Sequence, residues 1–142
     1  MSSLQTAHER FVLLVAEFYR EAGCELSYFE SDAQTPIAFE VEVDGVKLTV
    51  GYDPRATGAN LFVHCVFGPV PQHEEASVLR SLLEHNQSQA RERGAAYCID
   101  ARTQQVVCYS RQAVDDVQVA ALREALGHMA REALRWRADF FL

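Results

Sequence analysis

Ile37-Ala38-Phe39-Glu40-Val41-Glu42-Val43-Asp44-Gly45-Val46-Lys47-Leu48-Thr49-Val50-Gly51-Tyr52 decides the fold class. Apolar and polar residues alternate through the second half of the first run and again from Val46 onward. Strands with that period bury one face and wet the other. Asp44-Gly45 between them is hairpin chemistry, because both residues tolerate positive φ. Asp53-Pro54-Arg55-Ala56-Thr57-Gly58 then reads as a loop. Leu61-Phe62-Val63-His64-Cys65-Val66-Phe67 is apolar at nearly every position, as expected of a strand covered on both faces.

Upstream, a helix is expected from Leu4 to Ala22. Ser2 with Gln5 resembles a capping box, and Gly23 is a natural stop. Leu4, Ala7, Phe11, Leu14, Phe18 and Ala22 follow 3–4 spacing, and Val12, Val15, Ala16 and Tyr19 widen the apolar arc to roughly 200°. One sheet face needs about half of that arc, so the helix is expected to touch more than its own core. Glu25–Pro36 is the longest irregular stretch.

Downstream, Gly68-Pro69-Val70-Pro71 ends the third strand, and a helix follows from Glu74 to Arg93 with Gly94 as its stop. Its stripe is Val78, Leu79, Leu82, Leu83 and Ala90, with Asn86 along it. Short strands are expected at Tyr97–Ile99 and Val106–Tyr109, joined near Arg102-Thr103-Gln104. A last helix opens at Asp115, with Gln118 three residues on, and runs to Ala138. Val119, Leu122, Leu126, Met129, Ala133, Trp136 and Phe140 line one face of it. The order is α-β-β-β-α-β-β-α: an α+β fold, a twisted, mostly antiparallel sheet with helices packed on it.

The 142 residues fit one domain, 1–142. The net charge of −7 and the single lysine, Lys47, argue against nucleic acid, whose phosphates need clustered cations. No apolar run approaches the roughly 20 residues of a membrane span, and the N-terminus lacks a basic secretory segment. The protein is expected in the cytoplasm, with no membrane insertion.

Catalytic and metal motifs are missing from the sequence. His8, His64, His73, His85 and His128 make no His-Glu-x-x-His, and no zinc-type Cys/His spacing occurs. His73-Glu74-Glu75 and Asp115-Asp116 read as helix N-termini, where acids suit the helix dipole. His64 and Cys65 are neighbours on a strand and point to opposite faces, so they do not form a dyad. Cys24, Cys65, Cys98 and Cys108 read as small buried hydrophobes, with Cys24 the best placed for a reactive thiol. No nucleophile elbow, Walker loop or dinucleotide fingerprint is present. No enzyme, cofactor or metal is expected.

Taken in order, the long first helix, Val43-Asp44-Gly45-Val46 with Asp53, Leu61 through Gly68-Pro69-Val70-Pro71, Leu82-Leu83-Glu84-His85-Asn86, Gly94, Tyr97 to Asp100 and the final helix with Trp136 resemble the Tir chaperone family, the class I chaperones of type III secretion. Ser27–Gln34, polar and aromatic, departs from that pattern. The resemblance implies a homodimer that binds the N-terminal region of a secreted effector in non-globular form, part of which can extend the sheet, and delivers it for export. A secretion ATPase is a further partner it suggests. No nucleotide is used by the chaperone.

The residues add candidates. For effector contact they are Phe11, Val12, Val15, Ala16, Tyr19, Phe39 and Val41. For the dimer interface they are Phe62, Val66, Val78, Leu79, Leu82, Leu83 and Asn86. Phe62 and Val66 share one strand face while Val63, Cys65 and Phe67 carry the other, and covering both calls for a second subunit. Ordinary packing within the chain competes for each of these residues. Asn86 can fix the register of a helical interface or bond a nearby backbone group. Glu40 and Glu42, on one strand face, suit solvent or a basic peptide. There are two rival readings: a protein-binding regulator of the same fold without a secretion role, and a small ligand-binding domain or enzyme, which calls for a deep pocket with converging polar groups.

Overall fold

The computed structural model describes residues 3–21, 36–55, 59–92 and 94–142. Helix α1 (Ser3–Glu21) precedes strands β1 (Ile37–Val43), β2 (Val46–Tyr52) and β3 (Asn60–Pro69). Helix α2 (Glu75–Glu92), strands β4 (Ala95–Ile99) and β5 (Gln105–Ala113) and helix α3 (Val119–Asp139) complete the chain. The expected helix starts and stops at Ser2, Gly23 and Arg93, and the Ser27–Gln34 segment, lie outside the described residues.

The five strands form one antiparallel sheet in the order β1-β2-β3-β5-β4. Asp44 and Gly45 take φ of 51° and 80°, and Val43 pairs with Val46. Positive φ at both turn residues matches the turn twist to that of the flanking strands. β2 pairs with β3 only from Thr49 to Tyr52, opposite His64 to Leu61. Beyond that seam the strands part, and Arg137 of α3 donates to the carbonyls of Val66 and Phe67, each at 2.9 Å.

All three helices lie on one face of the sheet. Leu48, Val50, Tyr52, Val63, Cys65, Phe67, Val106 and Cys108 point to that side and are buried with Leu122, Leu126, Met129 and Trp136 of α3. Trp136 stands 6.0 Å from Phe67 and 5.0 Å from Phe140, ring to ring. Phe11 of α1 stacks on Tyr52 at 5.6 Å and meets Phe39 at 6.5 Å. Among the described residues, helices therefore cover β3 on one face only. Phe62 and His64 on its other face are half-buried, and Val66 is 37% exposed.

Three expectations shift. α3 begins at Val119 rather than Asp115. Asp115 and Asp116 sit in a one-turn 3-10 helix, Val114–Asp116, and Val117 is extended, which separates the two helices. Asp115 meets Arg10 of α1 at 3.2 Å instead of capping α3, and Gln118 takes the cap position without a side-chain bond. β5 runs to Ala113, four residues past the expected end, because its last inward positions, Ser110 and Gln112, are polar and break the apolar signal. Cys98 points outward on β4 and is exposed, unlike Cys65 and Cys108.

Asn86 is the tie between α2 and the sheet. Its Nδ2 donates to the Tyr97 carbonyl at 3.1 Å, and the Tyr97 N–H donates to its Oδ1 at 2.6 Å. Of the two roles open to it, Asn86 takes the backbone bond, filling the place of a neighbouring strand at the edge of β4. Asn86→Ala would leave both backbone groups unpaired. The expected cost is about 1–3 kcal/mol, read as a lower urea midpoint at an unchanged m-value.

Candidate functional site

The groove beside α1 is built by the helix's surplus of apolar residues. Phe11 and Val15 are spent on the chain's own core. Val12 and Tyr19 are half-buried and Ala16 is exposed. Tyr19 and Phe18 pack against Phe39 of β1 at 5.6 and 6.2 Å, so the aromatic residues of α1 and β1 form one continuous cluster. Phe39 and Val41 are half-buried beside it. The residue that reasoning from periodicity missed is Leu13, 68% exposed. Leu13 and Leu14 line one wall of a groove of about 410 Å³ whose other wall is Val114, Val117 and Val119. Arg10, Glu17, Glu21 and Asp115 rim it. A signal for Leu13 existed: Phe11 through Ala16 is an unbroken apolar run, and six consecutive residues of a helix cannot all face one side.

The seven residues considered for self-association separate into three groups. Val78 and Leu82 are buried in the core, and Asn86 is tied to β4. Leu79 is half-buried, and Leu83 is 71% exposed on the outward side of α2. Phe62 and Val66 lie on the face of the sheet opposite the described helices. There Phe62 stacks on Tyr109 at 6.0 Å with the planes 15° apart. Its ring also lies over Gly51, where any added side chain would clash with the ring. Exposed Ile99 at the end of β4 and Leu134 on α3 are further apolar surface not singled out from sequence.

His64 and Cys65 face opposite sides of β3, as strand geometry requires. Burial lowers the His64 pKa, against the pull of Asp100. Burial pushes Cys65 up to about 11, with Arg137 opposing, and Cys108 up to about 12, with Cys65 and Cys98 adding to the rise. These thiols are packing groups with little nucleophilic character. Among the described residues no group of three His, Cys, Asp or Glu could hold a metal ion, and no helix is long and apolar enough to cross a membrane.

A sequence model of the Tir chaperone protein (CesT) family matches residues 13–137. The chain belongs to this family. The match takes in α1 from Leu13 onward, all five strands, α2 and most of α3. No curated protein sequence matches the chain. Among solved structures, a chain of the ExsC-ExsE complex is 17% identical, with a TM-score of 0.70 and 93% of this chain and 94% of that one covered. A chain of the HopA1-SchA chaperone-effector complex is 14% identical, with a TM-score of 0.69 and 91% and 94% covered. A chain of the heterodimeric ExoU-SpcU complex from the type III secretion system of Pseudomonas aeruginosa is 14% identical, with a TM-score of 0.66 and 85% and 93% covered. At these identities the likeness is one of fold.

The thiols give a direct check on the Tir-family chaperone's packing. At pH 8 pKa values of about 11 and 12 leave roughly one thiolate per thousand for Cys65 and one per ten thousand for Cys108. Alkylation of the native protein, mapped by mass spectrometry, is expected to label Cys98 well before either of them. Their labelling is expected to climb about tenfold per pH unit up to those values, as long as the fold persists.

Proposed function

We propose that this Tir-family chaperone acts in the bacterial cytoplasm as a homodimer that binds the N-terminal region of a secreted effector, keeps it soluble and non-globular, and delivers it for export. It does this by binding alone, without catalysis. The observation that carries the reading is the outer edge of β1, which pairs with no described strand and has Phe18, Tyr19 and Phe39 packed beside it, while Leu13 stands 68% exposed on another face of α1. An open strand edge presents unpaired N–H and C=O groups, and with apolar side chains beside it such a surface marks an interaction site. The solved structures with the same fold include a chaperone-effector complex, which supports an effector as the partner.

The two edges of the sheet are not equivalent. At β4, Asn86 occupies the backbone groups of Tyr97. At β1, no described strand pairs with the outer side of Ile37–Val43. An extended effector segment can therefore add along β1, with main-chain bonds giving affinity that is tolerant of sequence. Neighbouring apolar side chains would settle against Tyr19, Phe39 and Val41, and into the groove at Leu13. Self-association is assigned to the outward side of α2, where Leu83 is 71% exposed and Leu79 lies beside it. A two-fold contact of that surface with its own copy needs no other complement.

Two substitutions separate these surfaces. Leu83→Glu is expected to lower the mass by light scattering from twice 16.0 kDa to 16.0 kDa. Leu13→Glu is expected to leave the mass unchanged and to weaken capture of the co-expressed N-terminal segment of a secreted protein by about 10–100-fold, the worth of one buried Leu. Because both positions are exposed, stability should move by no more than about 0.5 kcal/mol. A wild-type monomer that ignores the segment would sink the proposal.

A further inference from the structure

Beyond α3 the backbone turns back through Phe140 and Phe141, with φ of 56° and 58°. Periodicity places Phe140 in the helical stripe, yet the helix stops at Asp139 and both residues enter the left-handed region. Helices often end on one such residue, usually glycine, because a Cβ makes that conformation costly. Two successive phenylalanines are the opposite choice, so their side chains, not the ease of the turn, account for them. The turn is tied at each step. The Phe140 N–H donates to the Trp136 carbonyl at 2.7 Å, and the Phe141 N–H donates to Asp139 Oδ1 at 3.0 Å. The Ser81 hydroxyl of α2 donates to the Phe141 carbonyl at 3.2 Å.

The Phe141 ring reaches three elements at once. His85 of α2 stacks on it at 4.5 Å with the planes 20° apart. Tyr97 of β4 meets it edge-on at 6.0 Å. The guanidinium carbon of Arg135 lies over it, 5.6 Å from the centroid, and that arginine is held by Glu132 at 2.8 Å. His85 is fixed in turn, because its Nδ1 lies 2.8 Å from the Ser81 carbonyl, which can only accept a proton. Helix α2 needs such a hold. It buries only Val78, Ser81 and Leu82, far fewer residues than α3 buries. At 100° per residue, Ser81 and His85 lie about 160° around α2 from Leu79 and Leu83. The aromatic turn thus grips the side of α2 opposite the surface assigned to self-association.

We propose that Phe140–Phe141 is a strap that locks α2 onto the sheet, and that self-association of the chaperone requires the strap to be closed. Both phenylalanines are half-buried at the margin of the core, so the strap can open while the core stays packed. Opening also relieves two left-handed residues. It would free α2 to shift and so displace Leu79 and Leu83 without touching them. The effect on self-association rests on the role assigned to those two residues, whereas the locking of α2 does not.

Native-state hydrogen exchange of the full chain tests the lock. Leu83→Glu is the background, so that no partner copy shields α2. Amides from Ser81 to Glu92 are expected to exchange through a local opening that dilute urea hardly promotes, distinct from the global unfolding reported by Leu122–Ala133 of α3. Adding Phe141→Ala should speed that opening about tenfold or more and leave the local openings of α1 and β1 unchanged. Ser81→Ala, which removes only the bond to the strap, should speed it about two- to tenfold, and Phe141→Tyr, which keeps the ring, should not. With Leu83 intact, Phe141→Ala should raise the dissociation constant between copies about tenfold or more by light scattering, and Phe141→Tyr should leave it near wild type. Exchange of α2 through global unfolding alone, or a rate that neither Phe141→Ala nor Ser81→Ala alters, would overturn the lock. Faster α2 exchange with an unchanged dissociation constant would overturn its link to self-association. A wild-type chain that stays monomeric would remove that link together with the self-association reading, and the exchange of α2 would still decide the lock.

Discussion

Helix α3 lies along the inner face of β2 and β3 through one stripe, Val119, Leu122, Leu126, Met129, Ala133 and Trp136, all buried. The position of that helix determines much else. It leaves room at one end for α1, whose Phe11 closes over Tyr52. It leaves room at the other for α2, whose Val78 and Leu82 join the same core. Burial of these side chains, each worth about 1.5–3 kcal/mol, is the main force available to hold so short a chain together. With all three helices on one side, the opposite face of the sheet is left to Phe62, His64, Val66 and the charged residues around them.

Much of this was legible in the sequence because period and punctuation agreed. Asp44-Gly45 fixed a hairpin whose register runs unbroken from Val43–Val46 to Ile37–Tyr52. The stripe of α3 matched its buried residues, and Gly94 takes the positive φ expected just past α2. The start of α3 was misread because Asp115-Asp116 carries the chemistry of a helix cap, while its actual partner, Arg10, is distant in sequence. The far half of β5 was missed because Ser110 and Gln112 face a space where no apolar side chain is needed. Local pattern cannot register a hole in the packing on the other side of a strand.

The candidate surfaces were less legible than the fold, for a related reason. Periodicity measures how wide an apolar arc is, not which part of it the core consumes. For α1 the width was right and the division was not: Phe11 and Val15 went inward, while Leu13 stayed in water. For α2 the stripe mixed buried Val78 and Leu82 with exposed Leu83, and only the direction of the sheet separates them. Asn86 illustrates the opposite case. Its two plausible roles were both visible, and geometry chose between them.

The parting of β2 from β3 has a mechanical consequence. The β1–β2 hairpin is zipped along its whole length, and β3 and β5 are paired from end to end. Between these two blocks runs only the short seam of Thr49–Tyr52 against Leu61–His64. Where that seam ends, Arg137 reaches from α3 to bond β3 alone. By strand pairing alone the hairpin is thus held to the rest of the sheet at one short seam, with the guanidinium bonded to the β3 side where it ends. What holds the remainder of the hairpin in place is packing: Val46, Leu48, Val50 and Tyr52 are buried in the same core as α3. A load on β1 is therefore shared between four paired positions of backbone and the side chains beneath them.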